Sequence, residues 1–241
     1  MSFHFRQKEP HSIIEKYNPE SAGVIEIQRL FNTLYHKGGS KQVKSLMVTS
    51  AMPQEGKSTL VGYLGLVAAY ANLRTVILDA DMRRPCQHHL LQMPRFPGLT
   101  DYLQKEAELD QVIHSTKLEN LKFIPGGNTV SSPTELLQIG ISDVKVLLDQ
   151  CYIHFDVVLV DVPPVVPVHD AESLGPLVDG VALIVMSGKT YREIIERAVE
   201  LLRKSDCHLL GLILNNMTRA LPYYYEPKYY HYPYAEEKRD A

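Results

Sequence analysis

Tryptophan is absent from this 241-residue chain, and cysteine occurs only three times. Cys86, Cys151 and Cys207 lie far apart and form no CxxC pair. This spacing argues against a disulfide framework or a cysteine zinc site, and it predicts buried free thiols in a reducing compartment. A strong excess of one charge is also missing, because the formal net charge is −3. Broad electrostatic binding of nucleic acid is therefore not expected.

Long apolar segments are missing as well. The longest uncharged run, residues 58–73, contains 16 residues, whereas about 20 are needed to cross a bilayer. We interpret this run as a buried helix. The first eleven residues contain no apolar core of a secretory signal peptide. The sequence therefore predicts a cytosolic protein that reaches a membrane only through a partner.

Tyrosine, in contrast, is abundant, with 14 residues in the chain. Seven of them lie close together near the C-terminus: Tyr223, Tyr224, Tyr225, Tyr229, Tyr230, Tyr232 and Tyr234. Segment 222–241 also contains three prolines and few aliphatic residues, so we expect neither a regular helix nor a core there. The segment could be a disordered aromatic tail, an adhesive interaction segment or a phosphate acceptor. When extended it reaches about 66 Å, enough to enter a neighbouring subunit.

The rest of the chain alternates strand-like and helix-like segments. We predict a flexible arm over residues 1–19, one domain over 20–221 and a tail over 222–241. Within the domain, the pattern predicts helices at 20–35, 57–72 and 192–204 and one or two helices within 133–150. It predicts strands at 43–49, 75–78, 121–124, 155–160, 180–186 and 209–214. Several strands are continuous aliphatic runs, as in parallel sheets that are buried on both faces. The predicted fold is therefore a doubly wound, mostly parallel α/β sheet flanked by helices, with ligands bound beyond the carboxyl ends of its strands.

A phosphate-binding loop follows the first predicted strand. Residues 51–59 read AMPQEGKST, which matches the P-loop pattern GxxxxGK[ST] except that Ala51 replaces the first glycine. Alanine tolerates left-handed backbone angles poorly, so Ala51 is a departure. Backbone N–H groups of such a loop wrap the phosphates, the lysine neutralises them, and the serine offers its hydroxyl to Mg²⁺. The predicted nucleotide-binding residues are Pro53, Gln54, Glu55, Gly56, Lys57, Ser58 and Thr59.

Two further acidic clusters follow buried strands. Asp79 and Asp81 alternate at the end of the second strand, with Arg83 two residues later. We interpret them as Mg²⁺ ligands together with a base for a hydroxyl group; the alternative is a solvated turn held by ion pairs. Asp161 follows four apolar residues, and this position is typical of the Walker B carboxylate that holds Mg²⁺ through its water shell.

Together these segments resemble the bacterial protein-tyrosine kinases, or BY-kinases, P-loop enzymes unrelated to eukaryotic kinases. AMPQEGKST, VILDADMR and VVLVDVPP resemble that family's Walker A, Walker A′ and Walker B motifs. The segments IPGG, SSPTELL, HDAESLGPLVDGVALIV and GLILNN agree as well, and the tyrosine-rich C-terminus is similar to the family's autophosphorylation cluster. The resemblance covers about residues 20–234. It implies a P-loop NTPase fold similar to that of MinD and ParA.

The resemblance also implies an activity, which is ATP-dependent autophosphorylation of the seven C-terminal tyrosines in trans between subunits. Lys57, Ser58 and Thr59 would then bind the phosphates and Mg²⁺. Asp79 would accept the proton of the tyrosine hydroxyl, and Asp81 and Asp161 would hold Mg²⁺ together with Ser58. Arg83 would support the Walker A′ segment or the phosphates, and Asn215 would recognise the adenine.

Assembly and partners are implied in the same way. Glu26 and Arg29 match the first two positions of the family's EX2RX2R oligomerisation helix, with Asn32 in place of the second arginine. The helix implies a homo-oligomer, and the other interpretation is an ordinary packing face. The resemblance further implies a stand-alone kinase of capsule or exopolysaccharide production. Its implied partners are a transmembrane chain-length-determinant adaptor, which recruits it to the inner face of the membrane, and a cognate phosphotyrosine phosphatase.

Two other functions remain open at this stage. A MinD/ParA-type ATPase switch shares the fold and the Walker motifs, but that group normally has a lysine where Met52 stands, and no tyrosine tail is expected there. An ATP-binding scaffold of a polysaccharide export complex would need no catalysis. A metal-cluster carrier ATPase is disfavoured because the chain lacks a CxxC pair.

Overall fold

A seven-stranded sheet forms the centre of the molecule. The computed structural model describes residues 12–36 and 42–216. Its strands, in chain order, are β1 Ser45–Ser50, β2 Thr75–Asp79, β3 His114–Ser115, β4 Leu121–Ile124, β5 Val157–Asp161, β6 Gly180–Met186 and β7 Leu209–Asn215. Their spatial order is β3-β4-β2-β5-β1-β6-β7. All neighbours pair in parallel except β3 and β4, which are antiparallel. The predicted mostly parallel sheet is confirmed.

Helices cover both faces of the sheet. They are α1 Ile13–Lys16, α2 Ala22–Tyr35, α3 Lys57–Tyr70, α4 Gln87–Leu91, α5 Leu99–Leu103, α6 Leu109–Val112, α7 Pro133–Ile139, α8 Ile141–His154, α9 Asp170–Leu174 and α10 Arg192–Lys204, with a 3₁₀ turn at Gly175–Leu177. One core joins the sheet to α2 and α3. The opposite core joins it to α5, α7, α8 and α10. This three-layer arrangement explains why the central strands are aliphatic on both faces.

The long uncharged run is the buried helix α3, as predicted. Most of its residues from Ser58 to Ala69 are buried between α2 and the sheet. Glycines at 62 and 65 permit this close packing, because a Cβ on Gly65 would approach the Ile77 side chain to 2.5 Å. Within the described residues, every helix is too short or too polar to cross a bilayer.

The N-terminal prediction was partly wrong. Residues 12–19 were expected to belong to a flexible arm, but Ser12 caps α1 through a hydrogen bond from the Ile14 N–H and donates to the Leu91 carbonyl at 3.3 Å. Ile13 is buried in the core beside α3. Tyr17 also stacks on Tyr70 with ring centroids 4.4 Å apart, and Lys117 pairs with Glu15 at 2.7 Å, so several contacts dock this segment. Residues 1–11 lie outside the described part of the chain.

Two other details differ from the sequence-based expectation, and a third falls within it. Helix α2 begins at Ala22 rather than at residue 20, and its buried residues are Val24, Phe31 and Leu34. Segment 133–150, predicted to contain one or two helices, contains two that are divided at Gly140, and the second continues to His154. The short elements α4, α5, α6 and β3 were not predicted, because two to five residues are too few to show a hydrophobic period.

The topology brings three strand ends together. β5 lies between β1 and β2, and Asp161 is the register partner of Asp79. The loop after β1 leads directly into α3. The phosphate-binding loop, the Walker A′ segment and the Walker B carboxylate therefore meet at one edge of the sheet, as the fold prediction requires.

Candidate active site

The phosphate-binding loop has two left-handed residues, Gln54 with φ 65° and Gly56 with φ 93°. Gly56 has no room for a side chain, since a Cβ there would lie 2.4 Å from Asn215 Nδ2. Ala51 is fully buried and is not among the left-handed residues of the described chain. The expected penalty for alanine at this position therefore does not arise.

The carboxylate of Glu55 braces the loop from inside. Its Oε2 accepts the Met52 N–H at 2.9 Å, and its Oε1 accepts the hydroxyl of Thr190, which lies in the turn after β6. The Glu55 carbonyl accepts a 2.9 Å hydrogen bond from Asn215 Nδ2 at the end of β7. Glu55 is buried, so its side chain acts as a support of the loop.

Lys57 connects the three predicted motifs. Its Nζ donates to Asp81 Oδ2 at 2.8 Å and to Ser58 Oγ at 3.1 Å, and it lies 3.4 Å from Asp161 Oδ1. Burial alone would lower the pKa of Lys57, but the charges of Asp161 and Asp81 outweigh it and raise the pKa. The lysine therefore stays protonated between two carboxylates.

The same oxygens fit a magnesium ion. Ser58 Oγ, Asp81 Oδ2 and Asp161 Oδ1 already surround one cationic nitrogen within 3.4 Å. Mg²⁺ is commonly held by a hydroxyl or one or two carboxylates, with substrate phosphates and water completing its shell. The predicted ligand set is therefore brought together, and its chemistry suits the ion.

Asp79 lies behind the cleft rather than in it. Its side chain is fully buried, and it accepts backbone N–H bonds from Cys86 at 3.0 Å, Gln87 at 3.1 Å and Asp81 at 3.3 Å. Burial, followed by the charge of Asp161, raises the pKa of Asp79 well above its usual range. Burial also raises the pKa of Asp161, with Lys57 opposing it. The proton-acceptor role of Asp79 stays a prediction.

A cavity of about 540 Å³ lies above Lys57. One wall is the loop and the start of α3, and a second wall contains Asp81 and Cys86 with the guanidinium groups of Arg83 and Arg84. The third wall is apolar and contains Pro163, Pro164, Pro167 and Val168. We call this cavity the phosphate cleft, because the positively charged side chains of Lys57, Arg83 and Arg84 line it.

Arg83 is anchored at the rim of the phosphate cleft. It donates to Thr134 Oγ1, and its Nε lies 3.5 Å from Asp170 Oδ2. Thr134 in turn donates to Asp170 Oδ1 at 2.7 Å, and Asp170 is fully buried. The arginine therefore ties the Walker A′ segment to α7 and α9, and its role in supporting that segment or the phosphates stays a prediction.

Asn215 lies at a second cavity on the other side of the loop. This cavity of about 790 Å³ shares Gly56 and Thr59 with the phosphate cleft, and it is also lined by Tyr63, Ile213 and residues of α2. Besides its bond to Glu55, Asn215 accepts the Asn216 N–H at 2.9 Å. We call this second space the base cavity. The two cavities therefore lie on either side of Gly56 and Thr59.

Three of the supporting contacts were missed by sequence reasoning. Gln87, Thr190 and Thr134 all hold motif residues through side-chain hydrogen bonds. Thr134 lies in the recognised segment SSPTELL, but no role was assigned to it, and all three residues are distant in sequence from their partners. Gln87, for example, contacts Asp161 74 residues away, so no local pattern could have revealed it.

The predicted oligomerisation pair is exposed. Arg29 donates to Glu26 at 2.6 Å on the surface of α2. The three cysteines are free thiols, as expected, but Cys86 is only partly buried whereas Cys151 and Cys207 are buried. The seven predicted acceptor tyrosines lie outside the described residues.

Comparison with known proteins identifies relatives over most of the chain. No family model matches the sequence. It is 32% identical over 204 residues to the tyrosine-protein kinase YwqD of Bacillus subtilis, and the match covers 85% of each chain. It is 27% identical over 210 residues to a Klebsiella pneumoniae protein named putative tyrosine-protein kinase in cps region, which covers 87% of this chain and 29% of that protein.

Solved structures show the same relationship. The kinase domain of Escherichia coli tyrosine kinase ETK is similar with a TM-score of 0.81 and 26% identity, over 89% of this chain and 84% of that domain. The MinD protein of Pyrococcus horikoshii, solved with Mg-ADP, shares the fold with a TM-score of 0.62 and 18% identity, over 78% of this chain and 75% of that chain. Given the extended match to YwqD and the convergence of Lys57, Asp81 and Asp161, the chain belongs to the bacterial tyrosine-protein kinases.

Proposed function

We propose that this kinase transfers the γ-phosphoryl group of Mg-ATP to tyrosines of its own C-terminal cluster, in trans between subunits. The observation that carries the proposal is the position of Lys57, which lies between the Walker A′ and Walker B carboxylates at the base of an open cleft. In this arrangement the two carboxylates bind a cationic centre, and the open cleft above it can receive an extended acceptor chain.

In the reaction, the tyrosine hydroxyl oxygen forms a bond to the γ-phosphorus. The bond between that phosphorus and the β,γ-bridging oxygen breaks, and ADP leaves with the electron pair. The hydroxyl proton passes to a carboxylate of the Walker A′ segment. Such transfers depend mainly on positioning and electrostatic stabilisation rather than on covalent catalysis by the protein. Asp161 ends β5, Asp81 follows β2, and Lys57 and Ser58 begin α3.

The resident side chains divide these tasks. Ser58, Asp81 and Asp161 would hold Mg²⁺, which neutralises phosphate charge when it is bound. Lys57 then exchanges its contact with Asp81 for the phosphates. Arg83 and Arg84 add positive charge on the second wall. This division accounts for every charged side chain that lines the phosphate cleft.

The nucleotide extends across the loop in this proposal. The adenine occupies the base cavity beside Asn215, and the phosphates occupy the phosphate cleft beside Lys57. Support comes from Gly56 and Thr59, which line both cavities. Asn215 already bonds the loop through Glu55, so base recognition and loop geometry share one side chain.

The wider role is regulation of capsule or exopolysaccharide synthesis and export. The name of the Klebsiella pneumoniae relative places that protein in a cps region, and we extend this setting to the present chain. A transmembrane adaptor would recruit the kinase to the membrane, a phosphatase would reverse its modification, and Glu26 and Arg29 would contribute to subunit contacts. Each tail phosphate adds about −1.5 to −2 charges, which would release a docked tail.

The test is phosphotyrosine formation by the purified chain with Mg-ATP. We expect phosphate on residues 222–234, identified by mass spectrometry. The Lys57→Met variant should lose this activity by about 100-fold or more, because it removes charge stabilisation of the transferring group. ATP hydrolysis without phosphotyrosine would instead support an ATPase switch. Binding of ATP with neither reaction would support a scaffold.

A further inference from the structure

Gln87 connects three parts of the active site from behind the phosphate cleft. It is the first residue of α4, and its side chain is fully buried. Nε2 donates to the Ser58 carbonyl at 2.8 Å and to Asp161 Oδ2 at 2.8 Å. The backbone N–H donates to Asp79 Oδ2 at 3.1 Å. One residue therefore links the first turn of α3 with the ends of β2 and β5.

The orientation of this amide is fixed by its partners. Both groups that face Nε2 are acceptors, so the reversed amide would place Oε1 against two oxygens. In the observed orientation Oε1 has no hydrogen-bond partner among the described residues, and it lies beside α3 near Gly62. A buried oxygen without a partner reduces stability. Packing alone therefore does not account for a glutamine at this position.

The Gln87 amide determines how the Asp161 carboxylate is oriented. Gln87 occupies Oδ2, and the other oxygen, Oδ1, is directed at Lys57 Nζ, the cationic centre of the phosphate cleft. A rotation of the carboxylate would break the Gln87 bond, so the amide holds Oδ1 on the cation side. We infer that Gln87 is a positioning residue that orients the Walker B carboxylate toward Mg²⁺ and thereby lowers the Mg²⁺ concentration needed for nucleotide binding.

This inference rests on the proposed function, because it assumes that Asp161 serves Mg²⁺. Hydrogen-bond partners behind metal ligands are commonly worth about 10- to 100-fold in metal affinity. A merely structural glutamine would contribute to the free energy of unfolding but not to the Mg²⁺ requirement. The two roles can therefore be separated by measuring both quantities on the same variants.

The experiment measures binding of a fluorescent ADP analogue to the full chain while Mg²⁺ is varied, with EDTA as the metal-free reference. Gln87→Met keeps the side-chain length and removes both donated bonds. We expect the half-saturating Mg²⁺ concentration to rise at least about tenfold, while binding in EDTA changes less than about twofold. Thr75→Val is the matched control, because it removes one buried hydroxyl bond at the opposite end of β2.

Each outcome decides one question. An unchanged Mg²⁺ requirement in Gln87→Met, with stability reduced as in Thr75→Val, would overturn the positioning role. Absence of any Mg²⁺ effect in the unmodified chain would instead overturn the proposed function. If Gln87→Met does not fold, Gln87→Leu carries the test, since it is a smaller apolar side chain that likewise removes both donated bonds. A requirement for Mg²⁺ raised above that of the unmodified chain supports the inference, and an unchanged one refutes it.

Discussion

At the scale of single residues, the site depends on charges that balance one another inside the protein. Asp81 and Asp161 are buried, and Lys57 lies between them. Removing one partner of a buried ion pair typically costs about 3–5 kcal/mol, because the remaining charge is left without compensation. Changes at these residues therefore affect folding and catalysis together, and each variant must be assessed for both.

The two Walker A′ aspartates should behave differently. Asp81→Asn is expected to reduce tyrosine phosphorylation by about 100-fold or more, because Asp81 lines the phosphate cleft and bonds Lys57. Asp79→Asn should destabilise the fold by about 1–3 kcal/mol, because an amide cannot accept from Asp81 on one side and from Cys86 and Gln87 on the other. Urea unfolding and phosphotyrosine rates measure the two effects.

The phosphorylation rate of Asp79→Asn also tests its predicted role as proton acceptor. If folded Asp79→Asn phosphorylates tyrosine as fast as the unmodified chain, Asp79 is excluded from that role and Asp81 is left as the candidate proton acceptor. A loss as large as that of Asp81→Asn would support the prediction that the sequence resemblance implies.

His88 should make stability sensitive to acid. Burial, followed by the charges of His89 and Arg95, lowers the pKa of His88 from 6.5 to about 4. Between these values the unfolded chain binds more protons than the folded one, so stability falls as the pH decreases from about 6.5 toward 4. His88→Phe should lose less stability than the unmodified chain between pH 7 and pH 5, measured by urea unfolding. The exposed His154→Phe is the control, and equal losses in all three proteins would refute the prediction.

Residues that belong to a known motif could be predicted from the sequence, but the residues that hold them in place through hydrogen bonds could not. Lys57, Asp81 and Asp161 were recognised because each follows a strand-like run at a recognisable position. Gln87 contacts Ser58 and Asp161 across 29 and 74 positions. Such contacts are decided by how strands are ordered in the sheet, and local patterns carry no information about them.

At the scale of elements, the loop conformation depends on neighbours outside the loop. Glu55 is bonded by Thr190 from the turn after β6 and through its carbonyl by Asn215 of β7. Thr190 also accepts the Met186 N–H at 3.1 Å. The loop, β6 and β7 therefore form one hydrogen-bonded unit, and a change in the turn after β6 should be transmitted to the phosphate site.

Thr190→Val tests this connection. It preserves the shape of the side chain but leaves the buried Glu55 carboxylate without one donor, which should cost about 1–3 kcal/mol of stability. We expect KM for ATP to rise several-fold while the turnover of bound ATP changes less, because the loop is loosened rather than chemically altered. Thr190→Ser keeps the hydroxyl and serves as the control. Equal KM values for ATP in all three proteins would contradict the connection.

Among the elements, length decided what the sequence could predict. Aliphatic strands such as β4 and β6 and the amphipathic α10 have the bounds that were expected. The short helices between residues 86 and 112 were missed, because each spans little more than one turn. They nevertheless contribute to the site, since α4 begins with Gln87. The long elements that carry the chemistry were therefore predictable, whereas the short helix that carries Gln87 was not.

At the scale of the whole molecule, the described domain contains the candidate nucleotide site, and the proposed acceptor lies outside the described residues. The seven C-terminal tyrosines belong to a segment of twenty residues that follows the domain. Strand β7 ends at Asn215, beside the base cavity of the same chain. The distance the segment can reach, about 66 Å when extended, allows transfer within a chain as well as between chains. Kinetics must distinguish these routes.

Transfer between chains predicts that an inactive copy is phosphorylated by an active one. The substrate is the full chain with Lys57→Met, and the enzyme is the active chain with residues 222–241 removed. Neither protein alone should form phosphotyrosine, because one lacks the lysine and the other lacks the acceptor. Mixed with Mg-ATP, they should phosphorylate the Lys57→Met tail at a rate proportional to the enzyme concentration. A substrate with its seven tail tyrosines changed to phenylalanine is the control. An unmodified Lys57→Met tail, despite ATP turnover by the shortened enzyme, would show that the acceptor must be covalently joined to the site that modifies it.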